Sequence, residues 1–211
     1  MAILIMNPKD HQKKRYNTKD PQIIEIFLRY ISRTRAMDKY PPLYVGYLGF
    51  KPYSTIEEII AEFHLTQKVF NRETGIRARH EIYSFVEAEV RDPCGINRVK
   101  EIAYCLARWY YEQGFQVVFA IHNDSGAPHI HYVINTVSFI TGKKYHCSKQ
   151  DALRQRRFLL DTMAYYSGRD PGTPYPCTII DSEDELDSSL LQYFSGLNAA
   201  TFAYDGEPKL V

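Results

Sequence analysis

The chain has 211 residues, 45% hydrophobic and 24% charged, with a formal net charge of +1. These proportions fit one sizeable buried core with appendages and exclude wholesale disorder. The charge is uneven: residues 168–211 hold 8 acids and 2 bases, leaving 24 bases against 17 acids in residues 1–167, and a basic body of that kind is compatible with a polyanionic partner.

The opening "MAILIM" reads as a short buried strand. Its six apolar residues are too few for a signal segment or a membrane span, and no other run approaches 18 apolar residues, so a cytoplasmic protein without membrane insertion is expected. A polar loop with a basic cluster follows, and then "PQIIEIFLRYISRTRAM" spaces its apolar residues as a helix. Asp20 is a plausible N-cap there, with Pro21 at the first helical position. "PLYVGYLGF" is aromatic and β-branched and preceded by prolines, which suits an edge strand. "STIEEIIAEFHLTQKVF" opens with a Ser-x-x-Glu capping box, Ser54 and Glu57, before an amphipathic helix. "ARHEIYSFVEAEV" alternates as a strand.

"INRVKEIAYCLARWYYEQG" is a helix closed by Gly114. "FQVVFAIH" and "HIHYVINTVSF" are the next two strands, and "SKQDALRQRRFLLDTMAYY" is a helix with Ser148 and Asp151 as its capping box. Beyond Gly168 the sequence turns Gly/Pro-rich and then acidic. A boundary is expected there, with residues 1–167 as one domain and 168–211 as an extension, partly ordered at best. The four cysteines, Cys94, Cys105, Cys147 and Cys177, show no CxxC spacing and read as reduced, packed thiols. Strands 115–122 and 129–139 are joined by six residues, too few for a parallel crossover. The expected fold class is therefore α+β, a largely antiparallel sheet with helices on one or both faces.

Three of the seven histidines fall in "HNDSGAPHIHYVIN", residues 122–135. If residues 123–128 close a hairpin, His122 sits opposite His129, and Ala120 opposite His131. All three imidazoles then share a face, within roughly 5–7 Å of one another at Cβ. The other face carries Phe115, Val117, Phe119, Ile121, Ile130, Tyr132 and Ile134 and can be buried under helices. Gln116, Val118, Ala120, Val133 and Asn135 share the histidine face and are smaller and more polar, as an open site requires. A single histidine on a strand is usually a surface or core residue. Three on one face suit a metal, and without a fourth protein ligand in view they leave coordination positions for chemistry. Asp124, two residues past His122, can orient a ligand histidine as an acceptor, or shape the loop as an Asx residue.

The pattern His-x-Asp-x4-His-x-His followed by apolar residues and an Asn resembles the metal motif of conjugative relaxases. These are His-hydrophobe-His DNA-nicking enzymes, and the likeness is to the MobA/MobL and agrobacterial T-DNA-border type. Here the motif is His122, Asp124, His129, His131 and Asn135. Ala127 stands where many relatives carry a further His. "IIEIFLRYISRTRAMDK" looks like the motif supplying a nucleophilic tyrosine, which falls on Tyr30; Tyr16, Tyr40 and Tyr44 are the competitors. "RHEIYSF" resembles the second motif, a strand ending in Ser-Phe that meets DNA near the nick. "TGKKYHCSKQD" resembles a stretch of Gram-positive mobilisation proteins.

The resemblance covers roughly residues 1–167 and implies a relaxase (HUH) fold. It also implies strand-specific nicking and joining at an origin of transfer, through a 5′-phosphotyrosine on Tyr30. The implied metal is held by His122, His129 and His131, with Mn²⁺ or Mg²⁺ expected and Zn²⁺ as the alternative. Asp124 joins Tyr30 in catalysis, and DNA contacts fall to Arg33, Arg35, Arg79, His80, Ser84, Asn135, Lys143 and Lys144. The partners are single-stranded or locally melted DNA, with accessory and coupling proteins. The competing readings are a rolling-circle replication initiator and a non-catalytic origin-binding module. A metallohydrolase fits poorly, since no His-Glu-x-x-His helix is present.

Overall fold

A computed structural model describes residues 2–6, 16–33, 40–85, 95–123, 128–146, 148–166 and 177–180. In chain order the elements are β1 (Ala2–Met6), α1 (Ile23–Ser32), β2 (Tyr44–Leu48), α2 (Ile56–Val69), β3 (Ala78–Ser84), α3 (Gly95–Glu112), β4 (Val117–His122), β5 (His129–Asn135), α4 (Lys149–Tyr166) and β6 (Cys177–Ile180). The strands form one six-stranded sheet in the order β2-β4-β5-β3-β1-β6. Every pairing is antiparallel except β1 with β6. An α+β architecture with a largely antiparallel sheet is thus what the residues build. β2 lies at an edge, as its flanking prolines foreshadow.

Period-2 alternation sends the strand residues to two separate cores. On one face Val117, Phe119, Ile121, Ile130, Tyr132 and Ile134 pack under Val99, Ile102, Ala103 and Leu106 of α3 and Leu159 of α4. On the other, Ala78, Val118, Ala120 and Val133 pack under Ile23, Ile24, Phe27, Leu28 and Ile31 of α1 and Ile59 and Phe63 of α2. The central strands are covered on both sides, and all residues of β3, β4 and β5 are buried.

The helix boundaries refine the sequence reading. Asp20 is not the N-cap of α1. Its Oδ1 accepts from the Gln22 amide at 2.8 Å in a turn ahead of the helix, and the N-cap is Gln22, without a side-chain bond. The capping box of α2 lies one residue later than expected, on Thr55 and Glu58, with both reciprocal bonds made. Ser54 instead donates from its hydroxyl to the Lys51 carbonyl. At α4 the Ser148–Asp151 box forms as expected. Gly114 ends α3 at φ +85, and a Cβ there would lie 2.7 Å from Ser138 Oγ, so both the turn and the close approach require glycine. Beyond Gly168, Cys177–Ile180 extends the sheet as a parallel strand on β1. No described helix is long and apolar enough to cross a membrane.

Candidate metal centre

The β4–β5 hairpin has the register that its short loop dictates. His122 pairs with His129 and Ala120 with His131. The three rings converge on one face, with centroids 4.5 Å apart for His122–His131, 5.0 Å for His129–His131 and 5.6 Å for His122–His129. One nitrogen from each ring lies within 4.8 Å of the other two. A shared centre about 2.0–2.1 Å from each nitrogen needs them closer still, so a small inward movement of the rings completes the site.

The face is not open along its length. α1 and α2 bury Val118, Ala120 and Val133, and the polar positions are used up internally. Asn135 donates from Nδ2 to Gln116 Oε1 at 2.9 Å and to the Phe63 carbonyl at 3.2 Å, while Gln67 donates to Asn135 Oδ1 at 2.8 Å. The histidines themselves are 1%, 5% and 0% exposed in chain order.

Hydrogen bonds leave one nitrogen of His122 and one of His131 for the centre. His122 donates from Nε2 to the Ile31 carbonyl at 2.7 Å, which leaves its Nδ1 as the lone-pair nitrogen. Arg33, the left-handed C-cap of α1 at φ 47, donates to that Nδ1 at 3.1 Å and from its other arm to the Tyr40 carbonyl at 2.7 Å. His131 Nδ1 lies 2.9 Å from Nε2 of His80, and His131 Nε2 is buried without a hydrogen-bond partner among the described residues. Ser84 pairs directly with His129 across β3 and β5, and its buried hydroxyl is likewise unpartnered. Two unsatisfied polar atoms beside three imidazoles fit a cation and its oxygen ligands. Burial, with His122 adding to it, pushes His80 down to about 3, and burial drives His131 well below its ordinary value. Both rings are neutral at physiological pH, as ligand chemistry requires.

Tyr30 reaches this centre. Its half-buried ring stands edge-on to His131 at 5.5 Å and to His80 at 5.9 Å. Its competitors are placed differently. Tyr16 packs edge-on to Phe27 at 5.1 Å, Tyr40 is 51% exposed beside Arg33, and Tyr44 leans on Phe119 on the α3 side of the sheet. Asp124 and Arg35 lie outside the described residues.

Several expected DNA contacts do not face the surface. Arg79 is 8% exposed on the opposite side of the sheet, bonded to Glu81 at 3.2 Å with its guanidinium over the Tyr145 ring at 4.8 Å. His80 is 1% exposed beneath α1 and touches His131, not solvent. Asn135 is fully buried in the glutamine network. It lies four residues along β5 from His131, roughly 13 Å at 3.3 Å per residue. Lys143 and Lys144 lie beyond it, at the far end of the strands, where Lys144 Nζ donates to the Ile76 carbonyl at 2.8 Å. Arg33, Ser84 and the buried His80 are the expected contacts that do lie beside the histidines. The His80–His131 contact depends on the β3–β5 register, which no local spacing reveals.

Comparison with known proteins places these features in context. Residues 30–164 match the family described as "Relaxase: MobA/VirD2-like, nuclease domain", a span that begins at Tyr30 and encloses the histidine triad. Among curated relatives, Protein rlx of Staphylococcus aureus is 31% identical over 101 residues, 46% of this chain and 28% of the relative. The match therefore spans under a third of that protein's length. A solved structure reported as "Molecular Basis of Vancomycin Resistance Transfer in Staphylococcus aureus" superposes with a TM-score of 0.51 at 13% identity. The match covers 84% of this chain and 97% of that one, and it concerns the fold.

Proposed function

Because the chain belongs to the MobA/VirD2-like relaxase nuclease family, we propose that it nicks and rejoins one strand of DNA at an origin of transfer, with Tyr30 as nucleophile. The observation carrying this reading is the Tyr30 ring edge-on to His131 at 5.5 Å, beside three histidines whose ligand nitrogens lie within 4.8 Å of one another. The Tyr30 oxygen attacks a backbone phosphorus, loses its proton, and displaces the 3′-oxygen, which leaves as a hydroxyl. One P–O bond is exchanged for another, so the 5′-phosphotyrosine keeps the bond energy needed for rejoining.

His122, His129 and His131 would hold a divalent ion, Mn²⁺ or Mg²⁺ with Zn²⁺ as the alternative. Bound on neutral ligands, such an ion keeps its full charge for stabilising the non-bridging phosphate oxygens. The protein's part is to hold the reactants. α1 seats Tyr30 against the triad, so that attack is effectively intramolecular. Phenol has a pKa near 10, so Tyr30 needs local positive charge or a base to ionise. We assign Asp124, on its place in the motif, as a carboxylate serving the ligand histidines. Arg33 and the hydroxyl of Ser84 stand beside the centre and suit phosphate contact, with Arg35 two residues on, and Tyr40 supplies an exposed ring for stacking. The proposed substrate is single-stranded or locally melted DNA, with residues 1–167, joined by the strand Cys177–Ile180 that extends their sheet, as the nicking domain and accessory and coupling proteins as partners.

The test uses labelled single-stranded oligonucleotides tiled across the DNA flanking the gene, with Mn²⁺ or with chelator, run on a denaturing gel. The expected result is a metal-dependent adduct that survives detergent and is lost in Tyr30→Phe and in His129→Ala. An adduct that persists in Tyr30→Phe moves the nucleophile to another tyrosine. Binding of the cognate strand without any adduct overturns the enzymatic reading.

A further inference from the structure

We propose that His80 is a positioning residue that accepts the Nδ1 proton of His131 and so holds the tautomer in which His131 can bind a metal. The inference rests on the reading of the triad as a metal site and adds a fourth imidazole to it. β3 pairs with β5 so that His80 faces Val133 and Ile82 faces His131, which sets His80 diagonally beside His131 on the same face. The rings stack at 5.1 Å with planes 27° apart, and His80 Nε2 lies 2.9 Å from His131 Nδ1. Phe27 and Tyr30 of α1 hold the outer side of the His80 ring, at 5.0 and 5.9 Å.

Two neutral imidazoles facing each other at hydrogen-bond distance place one proton between them. If His80 Nε2 carries it, His131 Nδ1 accepts, and the His131 proton must sit on Nε2. That nitrogen is then closed to a cation. If His131 Nδ1 carries it, His80 Nε2 accepts, and His131 Nε2 presents its lone pair toward the triad. Both outer nitrogens, His80 Nδ1 and His131 Nε2, are buried without a hydrogen-bond partner among the described residues. Each arrangement therefore leaves one N–H and one lone pair unsatisfied, and hydrogen bonding within the pair does not choose between them. A cation at His131 Nε2 does, because it takes up the one lone pair that matters. His80 stays an acceptor toward His131 and carries its own proton on Nδ1. The same ring touches Tyr30, so the nucleophile and the metal ligand are seated against one side chain.

The experiment pairs Mn²⁺ titration calorimetry of the wild type, His80→Phe and His80→Gln with long-range ¹H–¹⁵N spectra of the wild type loaded with diamagnetic Zn²⁺. His80→Phe keeps the aromatic packing and removes the acceptor; affinity is expected to fall 10–100-fold, as for other groups that orient a ligand histidine. His80→Gln offers an amide oxygen as acceptor and is expected to recover most of it. In the Zn²⁺-loaded wild type, His80 is expected protonated on Nδ1 and His131 on Nδ1. Wild-type uptake of Mn²⁺ with an unchanged His80→Phe overturns the assignment, as does a His80 protonated on Nε2 in the loaded protein, a reading that needs no variant to fold. A wild type that takes up no Mn²⁺ overturns the triad reading, and this assignment with it.

Discussion

Arg33 donates a hydrogen bond from Nη2 to Nδ1 of His122 across 3.1 Å, though 89 residues separate the two in the chain. Since His122 Nε2 is committed to the Ile31 carbonyl, the guanidinium sits on the nitrogen a metal would use. A cation and an arginine cannot share that lone pair, and their like charges repel. Arg33→Met is expected to bind Mn²⁺ about tenfold more tightly without DNA, yet to form the DNA adduct more slowly, because a phosphate contact is lost. Calorimetry and the adduct gel measure the two effects separately. Equal Mn²⁺ affinity in variant and wild type would show that Arg33 does not compete for the site.

The buried Arg79–Glu81 pair leads to a contrasting expectation. Arg79 looks like a DNA contact in the sequence, but it bonds to Glu81, which also accepts from Tyr110 Oη at 2.5 Å, with both acid and base almost wholly buried. Removing one partner strands a charge in the core and costs about 3–5 kcal/mol. Glu81→Gln and Arg79→Met are each expected to lower the denaturant midpoint sharply while the folded fraction binds oligonucleotides as tightly as wild type. Weakened binding with unchanged stability would restore Arg79 to the DNA surface.

These cases show what local sequence can reveal. The β4–β5 hairpin was legible because six loop residues fix its register, and register alone brings His122, His129 and His131 to one face. The neighbour of β3 was not legible, because its partner β5 lies more than forty residues on; hence His80 reads as a DNA contact although it touches His131. Arg79, Glu81 and Tyr83 alternate like a half-exposed strand, but the sheet is covered on both faces, so Arg79 and Glu81 must pair with one another. Gln116 and Asn135 were read as an open, hydrated face for the same reason. Their true partners, Gln67 and Thr66, come from α2, whose packing against the sheet is a tertiary fact. The strand at Cys177–Ile180 follows a Gly/Pro-rich stretch and has only four residues, too short for periodicity to mark.

The start of α4 gives a pH-dependent expectation. The Asp151 carboxylate accepts from the hydroxyl and the amide of Ser148 and pairs with Arg154. The Ser148 hydroxyl, then Arg154, holds Asp151 down to about 2. The folded state thus favours the ionised form. The cap's contribution is complete above the usual carboxylate range and fades as pH falls toward 2. A ¹³C-detected titration of the Asp151 carboxyl is expected to show a midpoint near 2 in the wild type and a higher one in Ser148→Ala. A wild-type midpoint near 4 would mean the cap is not formed in solution.

Metal removal tests the centre without DNA. A ligand that binds only the folded state stabilises it by RT ln(1 + [L]/Kd), about 2.7 kcal/mol at a hundredfold excess over Kd. For a domain of this size each kcal/mol moves Tm by about 2–4 °C, so saturating Mn²⁺ is expected to raise Tm by about 5–10 °C, and excess chelator should reverse the shift. His129 is 5% exposed and lies between the other two rings and Ser84. His129→Ala removes one ligand and leaves the hairpin register, which the backbone ladder fixes, in place. Its Tm is expected to be insensitive to Mn²⁺. An equal Mn²⁺ shift in His129→Ala and wild type would place the ion elsewhere on the chain. A shift lost in His129→Ala but kept in Ser84→Ala would assign the ion to the imidazoles and leave the serine hydroxyl to the phosphate.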